Sequence, residues 1–379
     1  MHPTPNSQAV CSIANSALTK TNHWLAYLGL ALLFLSLAPQ SLHAAAVTKR
    51  YAYVVESAGN QIGEFSIATN TGALVALAGC PAQPALTAAT SAEVNPTGQF
   101  LYVANRGANN IAVYTINALP VPTQGCLTFV GFFATAAGPF SIGVDNLYVY
   151  VSEPAANQIE GFPIANFANG ALGPAVAGSP FATPTPVGLA IDSAAPYLYV
   201  ANNLAAGTIT AFTRLAGGTL APIGPFATGG FPTQVAVDPV EQFVFVIYPN
   251  FVESYPILPG IGALGAPNAP VATGAGPLGL AVSRFGQLAY VANNAANTVS
   301  SYLVNNATGQ AAVNGIAMAT AAGPFGATVE QQGKYLYIAD IVANSVSGYT
   351  INPNTGILKV IPGSPWPTGA GPIAIATQP

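Results

Sequence analysis

Polar side chains recur at one position in seven parts of the chain, three residues after an aromatic residue that precedes valine or isoleucine. Three carry carboxylates, three carry amides and one carries a phenol. Grouped around an opening, they could bind a cation, a glycan or another polar ligand. Alternatively, they end a strand and hydrogen-bond to their own turn. These residues are Glu56, Asn105, Glu153, Asn202, Tyr248, Asn293 and Asp340.

Glu93 stands where the corresponding segments carry Ala or Gly, apart from one with Thr328. A buried carboxylate without a partner is costly, so Glu93 either faces a solvated channel or pairs with a cation such as Arg106. If the protein is catalytic, Glu93 is the candidate base and Arg106 the candidate group for stabilising an oxyanion. No recognisable catalytic constellation surrounds either residue.

The N-terminal segment has the features of a signal peptide. An apolar run, Trp24 to Ala38, follows Lys20 and precedes the small residues Ala44 to Ala46. At 15 residues it is shorter than the roughly 20 that a membrane-spanning helix needs. We expect residues 1–46 to be removed, which predicts an exported domain of residues 47–379, periplasmic or extracellular, without a membrane span. A retained N-terminal anchor is the alternative.

Cleavage after Ala46 would remove all three histidines, at positions 2, 23 and 43. Two cysteines would remain, Cys80 and Cys126, and in an oxidising compartment they are expected to form a disulfide. Two unrelated buried thiols are the other possibility. A zinc site would need two further ligands, so we predict neither a metal nor a cofactor.

The charge of the chain limits its partners. Charged residues make up only 5% of the sequence, and the part after Ala46 has 7 basic and 12 acidic residues with no basic stretch beyond Lys49-Arg50. Phosphate neutralisation needs clustered Lys and Arg, so nucleic acid is excluded as a partner. We expect a monomer that binds a protein, a glycan or a small molecule.

Seven copies of one pattern organise the chain at steps of 45 to 49 residues, a period typical of propellers and other arrays. Each copy predicts four short antiparallel strands. In the sixth copy these are Leu278 to Ser283, Leu288 to Ala292, Thr298 to Leu303 and Ala311 to Thr320. The copies are anchored by Tyr53-Val54, Tyr102-Val103, Tyr150-Val151, Tyr199-Val200, Phe245-Val246, Tyr290-Val291 and Tyr337-Ile338.

The two ends of the pattern predict how the repeats close. The first copy begins at Arg50 with its second strand, and the chain finishes with Ile373 to Thr377, which aligns with an inner strand. The C-terminal strand should therefore complete the first blade. We predict an all-β, seven-bladed propeller of four-stranded antiparallel blades.

Repeated loops are expected on one rim of this propeller. TAAGPF occurs at 135–140 and 320–325, and TGAGP at 273–277 and 368–372, between an outer strand and the next inner strand. A column of turn residues should adopt positive φ beside them: Asn60, Asn109, Asn157, Asn297 and Asn344, with Gly207 in the fourth copy. In the fifth copy, Ile247 to Phe251 replaces the Asn-rich hairpin, which indicates either a docking notch or ordinary divergence of the repeat.

The YVAN segments at 102–105, 199–202 and 290–293, with Gly-Ser-Pro-aromatic segments at 178–181 and 363–366, resemble the YVTN-type and lactonase-like propellers, which include 6-phosphogluconolactonases and carboxymuconate cyclases. The resemblance implies the fold over residues 50 to 379. It also implies His, Arg and Glu in the central pocket of the enzymes, and no segment here matches that set. We therefore expect a binding protein that uses the channel rim; the alternative is a hydrolase or cycloisomerase acting on an uncharged or weakly charged small lactone.

Overall fold

The computed structural model describes residues 50–118, 123–240, 242–283 and 287–379, which belong to one compact unit, Thr48–Pro379. The predicted signal peptide lies outside the described residues. Within them, seven antiparallel sheets form the seven-bladed propeller that the repeat predicts.

The described part of the chain contains thirty-one strands, which build the seven blades. Blade 1 contains β31, β1, β2 and β3, and the later blades contain β4–β7, β8–β12, β13–β16, β17–β20, β21–β25 and β26–β30. Three short 3-10 turns are Arg106–Ala108, Pro154–Ala156 and Ala216–Gly218. The strands are β1 (Arg50–Glu56), β2 (Gln61–Ile67), β3 (Leu74–Ala76), β4 (Ala89–Val94), β5 (Phe100–Asn105), β6 (Asn110–Ile116), β7 (Leu127–Ala134), β8 (Ile142–Val144), β9 (Tyr148–Glu153), β10 (Gln158–Asn166), β11 (Ala171–Leu172), β12 (Phe181–Ala182), β13 (Pro186–Ile191), β14 (Tyr197–Asn202), β15 (Thr208–Arg214), β16 (Leu220–Ala227), β17 (Gln234–Val237), β18 (Phe243–Tyr248), β19 (Phe251–Pro256), β20 (Val271–Ala272), β21 (Pro277–Val282), β22 (Leu288–Asn293), β23 (Thr298–Val304), β24 (Ala311–Val313), β25 (Met318–Ala319), β26 (Pro324–Val329), β27 (Tyr335–Asp340), β28 (Ser345–Ile351), β29 (Leu358–Val360), β30 (Trp366–Pro367) and β31 (Pro372–Thr377).

The outer strand is the one element that departs from the predicted pattern. In the sixth blade the first three strands begin and end within one residue of prediction, but the fourth is split into β24 and β25. Gly315 interrupts it with a φ of 75°. The third and seventh blades are split in the same way, at Gly178 and Gly363, whose φ values of 81° and 89° are incompatible with a continuous strand.

The ring closes as the two ends of the repeat predict. β31 pairs with β1, and its residue Ala376 lies opposite the anchor Tyr53. A buried ion pair between Arg50 and Glu330 joins the first and seventh blades at the same junction. The first and last elements of the domain therefore hold each other, which leaves no open sheet edge where the ring begins.

Seven separate hydrophobic cores lie between the blades, each formed by residues of two neighbouring blades. The core between blades 2 and 3, for example, combines Phe100 and Tyr102 with Val149 and Val151. The middle strands are buried on both faces, which explains why they are apolar throughout instead of alternating.

The anchor tyrosines make a second set of contacts between blades. In six blades the anchor hydroxyl donates a hydrogen bond of 2.7–3.1 Å to a glycine carbonyl in the outer turn of the next blade. The fifth blade has Phe245 as its anchor, and there the Ser254 hydroxyl donates to Gly309 at 2.8 Å instead. The tyrosine bonds run from Tyr53 to Gly125, Tyr102 to Gly170, Tyr150 to Gly218, Tyr199 to Gly262, Tyr290 to Gly356 and Tyr337 to Gly72.

All seven of these acceptor residues are glycines with φ between 64° and 87°. Close packing reinforces the requirement, because a Cβ on Gly170 would lie 2.6 Å from the Phe100 ring of the preceding blade. Only glycine combines the left-handed backbone with this approach.

The repeated loops fasten onto the asparagine turns. The five predicted asparagines have φ between 51° and 56°, which confirms their turn geometry, and Asn250 in the fifth blade has 65°. The prediction of a positive φ for Gly207 is wrong. Glycine is instead needed there for close packing, because a Cβ would overlap the Gly229 carbonyl oxygen. The first threonine N–H of each TAAGP or TGAGP loop donates to the carbonyl of such an asparagine at 2.8–3.0 Å. The four pairs are Thr135 with Asn109, Thr273 with Asn250, Thr320 with Asn297 and Thr368 with Asn344.

The predicted disulfide is confirmed: Cys80 and Cys126 are bonded, with their Cα atoms 5.3 Å apart. Cys80 lies in the loop that leaves blade 1, and Cys126 immediately precedes β7 of blade 2. The bond therefore joins two blades near the point where the ring begins.

Replacing Tyr102 with Phe should destabilise the fold, because the buried Gly170 carbonyl would lose its donor. We expect the free energy of unfolding to fall by about 1–3 kcal/mol in urea titrations. Tyr114→Phe is the matched control, since Tyr114 is equally buried and its hydroxyl has no hydrogen-bond partner among the described residues. Equal losses in the two variants would contradict a role for the hydrogen bond.

Candidate functional site

The seven polar residues predicted to form a rim are arranged one per blade, but their side chains are buried. None is more than 8% exposed, and four have no exposed surface. Each stands at the end of the second strand of its blade, or of β1 in the first blade, beneath the loops of the rim. The seven are Glu56, Asn105, Glu153, Asn202, Tyr248, Asn293 and Asp340.

Several of these side chains hold the loop that enters from the preceding blade. The Glu56 carboxylate accepts the Gly369 N–H at 2.7 Å, and the Glu153 carboxylate accepts the Ala137 N–H at 2.9 Å. Asn105 accepts the N–H of Thr87 at 2.6 Å. These hydrogen bonds give partners to backbone N–H groups of the loops that would otherwise lack them. These three side chains therefore have a structural role in holding the loops. Binding of an external ligand by the seven stays a prediction.

Two members of the set retain an unused acceptor atom. Asn293 Oδ1 and Asp340 Oδ1 are buried and lack a hydrogen-bond partner among the described residues. Burial raises the pKa of Asp340 to about 7, although a hydrogen bond from the Ser347 hydroxyl lowers it in part.

Two neighbouring cavities, which share Gln234, Leu280 and Ala327 in their linings, lie between the inner strands of the propeller. The first, about 140 Å³, includes Ser91, Ser141 and Gln234 in its lining; the second, about 340 Å³, includes Glu93, Gln234 and Thr328. Their walls are the inner strands, whose residues two positions apart face the same side. The channel is thus lined mainly by small and apolar residues, and only some blades contribute a polar side chain to it.

Glu93 faces this channel, one of the two positions that the sequence left open for it. It lies opposite Tyr102 in the register, where the other blades place Ala, Gly or Thr. Among the residues described as lining the two cavities, it is the only ionisable one. Burial raises its pKa to about 8, while a hydrogen bond from the Val144 N–H lowers it in part and the Asp145 charge raises it slightly.

Arg106 does not pair with Glu93: the ion pairs found in the described ranges are Arg50–Glu330 and Arg214–Asp145. Its exposed guanidinium lies over the Phe140 ring, with Cζ 5.5 Å from the ring centroid. Phe140 lines the first cavity, and Arg106 belongs to the turn after β5 on the rim, so Arg106 lies at the channel mouth, whereas Glu93 lines the second cavity. A catalytic role for either residue stays a prediction.

The fifth-blade hairpin exposes part of an aromatic pair. The rings of Tyr248 and Phe251 are 5.7 Å apart, and Phe251 is 39% exposed. Phe231, from the loop that enters this blade, is also exposed. Docking of a partner at this notch stays a prediction.

The sequence did not single out Gln234 or Ser91, although both line the channel. Their positions could have revealed them. Each lies two residues before an inner-strand residue that faces the channel and pairs with the anchor of its blade, and residues two apart on a strand face the same side. Glu64 was also missed. It accepts the Leu127 N–H of the next blade at 2.8 Å, and burial raises its pKa to about 7.

None of the helices in the part of the chain that the structure describes is long and apolar enough to cross a membrane.

A family model described as a seven-bladed β-propeller lactonase matches residues 41–190 and 265–368. The matched segments include Glu93 and Arg106. No curated protein sequence matches the chain.

Solved structures share the fold at low identity. A protein from Bacteroides uniformis, provisionally assigned as a 6-phosphogluconolactonase, superposes with a TM-score of 0.75 at 16% identity, covering 87% of this chain and 99% of its own. The periplasmic gluconolactonase of Pseudomonas aeruginosa gives 0.68 at 15% identity, with 88% and 99% covered. At these identities the likeness concerns architecture.

Replacing Glu93 with Gln should make stability less sensitive to pH. The pKa of Glu93 is about 8 in the folded protein against 4.5 ordinarily, so between these values the folded state binds more protons and the free energy of unfolding falls as pH rises. We expect urea titrations at about pH 5 and pH 8 to show a smaller loss for Glu93→Gln than for wild type. Glu64 and Asp340, both with pKa values near 7, will keep part of the wild-type slope. Identical slopes would refute the assignment.

Proposed function

The chain belongs to the seven-bladed β-propeller lactonase family, and from that premise we propose that it hydrolyses a small lactone in its central channel. The observation that carries the proposal is the placement of Glu93 as the only ionisable side chain in the described lining of that channel. Family membership favours this reaction over the non-catalytic binding role that the missing histidines suggested.

Glu93 serves as the general base in this proposal. Its carboxylate removes a proton from a water molecule as that water attacks the lactone carbonyl carbon. A pKa near 8 makes it a stronger base than an ordinary glutamate, since basicity rises with pKa. The ring C–O bond then breaks and the proton held by Glu93 passes to the ring oxygen, which gives a hydroxy acid and restores the carboxylate.

Gln234 is the group we assign to the oxyanion. It belongs to blade 5 and lines the same cavity as Glu93 of blade 2. Its amide N–H groups can donate hydrogen bonds to the carbonyl oxygen as negative charge develops there. Arg106, at the mouth, would affect only how the substrate approaches the channel. Direct stabilisation of the oxyanion by Arg106 is the competing assignment, and the Gln234 and Arg106 variants distinguish between the two.

The channel favours an uncharged lactone. The described lining contains no Lys, Arg or His, and a phosphorylated or carboxylated substrate would bring a negative charge beside Glu93. The disulfide between Cys80 and Cys126 is compatible with work outside the cytoplasm, and export through residues 1–46 is part of the proposal.

A panel of neutral lactones of different ring sizes, assayed at pH 6 to 9, tests the reaction. We expect kcat/KM to rise with pH and to level above about 8, and Glu93→Gln to lower it at least about 100-fold. Gln234→Leu should lower kcat more than it changes KM, because the oxyanion forms only in the transition state.

Glu253→Gln is the matched control, since this carboxylate is buried outside the channel and hydrogen-bonds Tyr255. Arg106→Ala should change kcat/KM less than tenfold if it acts only at the mouth. Turnover that survives in Glu93→Gln would remove Glu93 from the mechanism. If wild type hydrolyses no lactone of the panel, the hydrolase proposal is wrong.

A further inference from the structure

Blade 1 differs from blades 3 and 7 at two positions, and in those two blades the residues at these positions contact each other. In blades 3 and 7 a glycine lies opposite the anchor tyrosine on the neighbouring strand: Gly161 opposite Tyr150, and Gly348 opposite Tyr337. Each glycine donates its N–H to the serine of a Gly-Ser-Pro segment, at 3.2 and 2.8 Å. The glycine position and the serine position are therefore direct neighbours.

Blade 1 places other residues at both positions. Glu64 lies opposite the anchor Tyr53, where blades 3 and 7 have glycine. Gly79-Cys80-Pro81 replaces Gly-Ser-Pro, and Gly79 has a φ of 76°, close to the 81° and 89° of the matching glycines. The two Ser-Pro peptide bonds are cis and Cys80-Pro81 is not among the cis bonds of the described residues, so the segments share the glycine turn but not the whole backbone course. A carboxylate and a sulfur nevertheless lie together here, where blades 3 and 7 bring together an N–H and a hydroxyl.

A third ligand atom comes from blade 2. Cys126 is bonded to Cys80, and the ligand atoms of Glu64, Cys80 and Cys126 all lie within 4.8 Å of one another. The Glu64 carboxylate is held in place by the Leu127 N–H at 2.8 Å, next in sequence to Cys126. These contacts orient the carboxylate toward the two sulfur atoms before any ligand arrives.

Space for a fourth ligand adjoins the cluster. Glu64 and Cys80 line a cavity of about 430 Å³, which also contains Gln83. The Gln83 side-chain nitrogen lies 2.9 Å from the Leu127 carbonyl and 3.5 Å from Glu64, so it steadies the same group. Water from this cavity can complete a four-coordinate shell, which Zn²⁺ adopts with sulfur, nitrogen and oxygen ligands.

We propose that reduction of the Cys80–Cys126 disulfide creates a site for one thiophilic divalent cation such as Zn²⁺, held by the two thiolates and the Glu64 carboxylate. A phosphine supplies the two electrons: it takes the oxygen of one water, and the two water hydrogens pass to the two sulfur atoms. The cation then displaces both thiol protons as its bonds to sulfur form. While the disulfide is intact, the thiolates that such a cation needs do not exist.

Cobalt titration of the full-length protein tests the site. After reduction with a phosphine under argon, Co²⁺ should give near-ultraviolet thiolate charge-transfer absorption that saturates at one equivalent, and Zn²⁺ should bleach it. The oxidised protein should give none. Glu64→Gln should weaken Co²⁺ binding at least tenfold, whereas Glu160→Gln, a buried carboxylate of blade 3, should leave it unchanged.

Cys80→Ser retains Cys126 and Cys11 and therefore measures binding by isolated thiols, which we expect to be much weaker. Circular dichroism of each reduced variant before metal addition establishes that it is folded. Absence of thiolate absorption in the reduced wild type would overturn the proposal, and this outcome does not depend on any variant. Equal Co²⁺ affinities of Glu64→Gln and Glu160→Gln would also overturn it, because the carboxylate would then not be a ligand.

Discussion

The hydrogen bond from an anchor hydroxyl to the glycine carbonyl of the next blade is the interaction on which the ring depends. Each bond is buried and directional, and it sets the distance between two sheets whose shared core is otherwise made of apolar side chains. Because each blade bonds to the next and the seventh returns to the first through Tyr337 and Gly72, the spacing must be uniform around the ring. In the fifth blade the anchor is Phe245, which has no hydroxyl, and Ser254 donates the hydrogen bond to the glycine carbonyl of the next blade instead.

This construction uses most of the polar groups that the repeat offers. Glu56, Asn105 and Glu153 hold the incoming loops at the strand ends, and the asparagine turns accept the threonine N–H groups of the repeated loops. Side chains with titratable or metal-binding groups that the repeat does not use for structure are therefore found where a blade departs from the repeat. Glu93 breaks it in the channel, and Glu64 and Cys80 break it at the outer edge of blade 1.

Much of the fold was predictable because it depends on spacing. The anchors at steps of 45 to 49 residues give the number of blades, and the alternation of apolar runs with Gly and Asn turns gives their strands. The split of the outer strand was not predicted, since the three strand residues before Gly315 and the two after it are apolar residues that a continuous strand could also carry. The polar set at the strand ends was found correctly as a recurring position, but whether these side chains face solvent depends on where the loops of the neighbouring blade lie.

The sequence by itself determined the propeller, its closure by the C-terminal strand and the cysteine pair, because these follow from periodicity and from a count of residues. Tertiary structure alone decided that Glu93 faces the channel without Arg106, that Gln234 shares its cavity, and that Glu64 meets the two sulfur atoms. Each of these contacts joins residues of different blades or a residue and a space between blades. Distances of that kind are set by how the sheets pack around the axis, and a pattern that repeats within one blade carries no information about them.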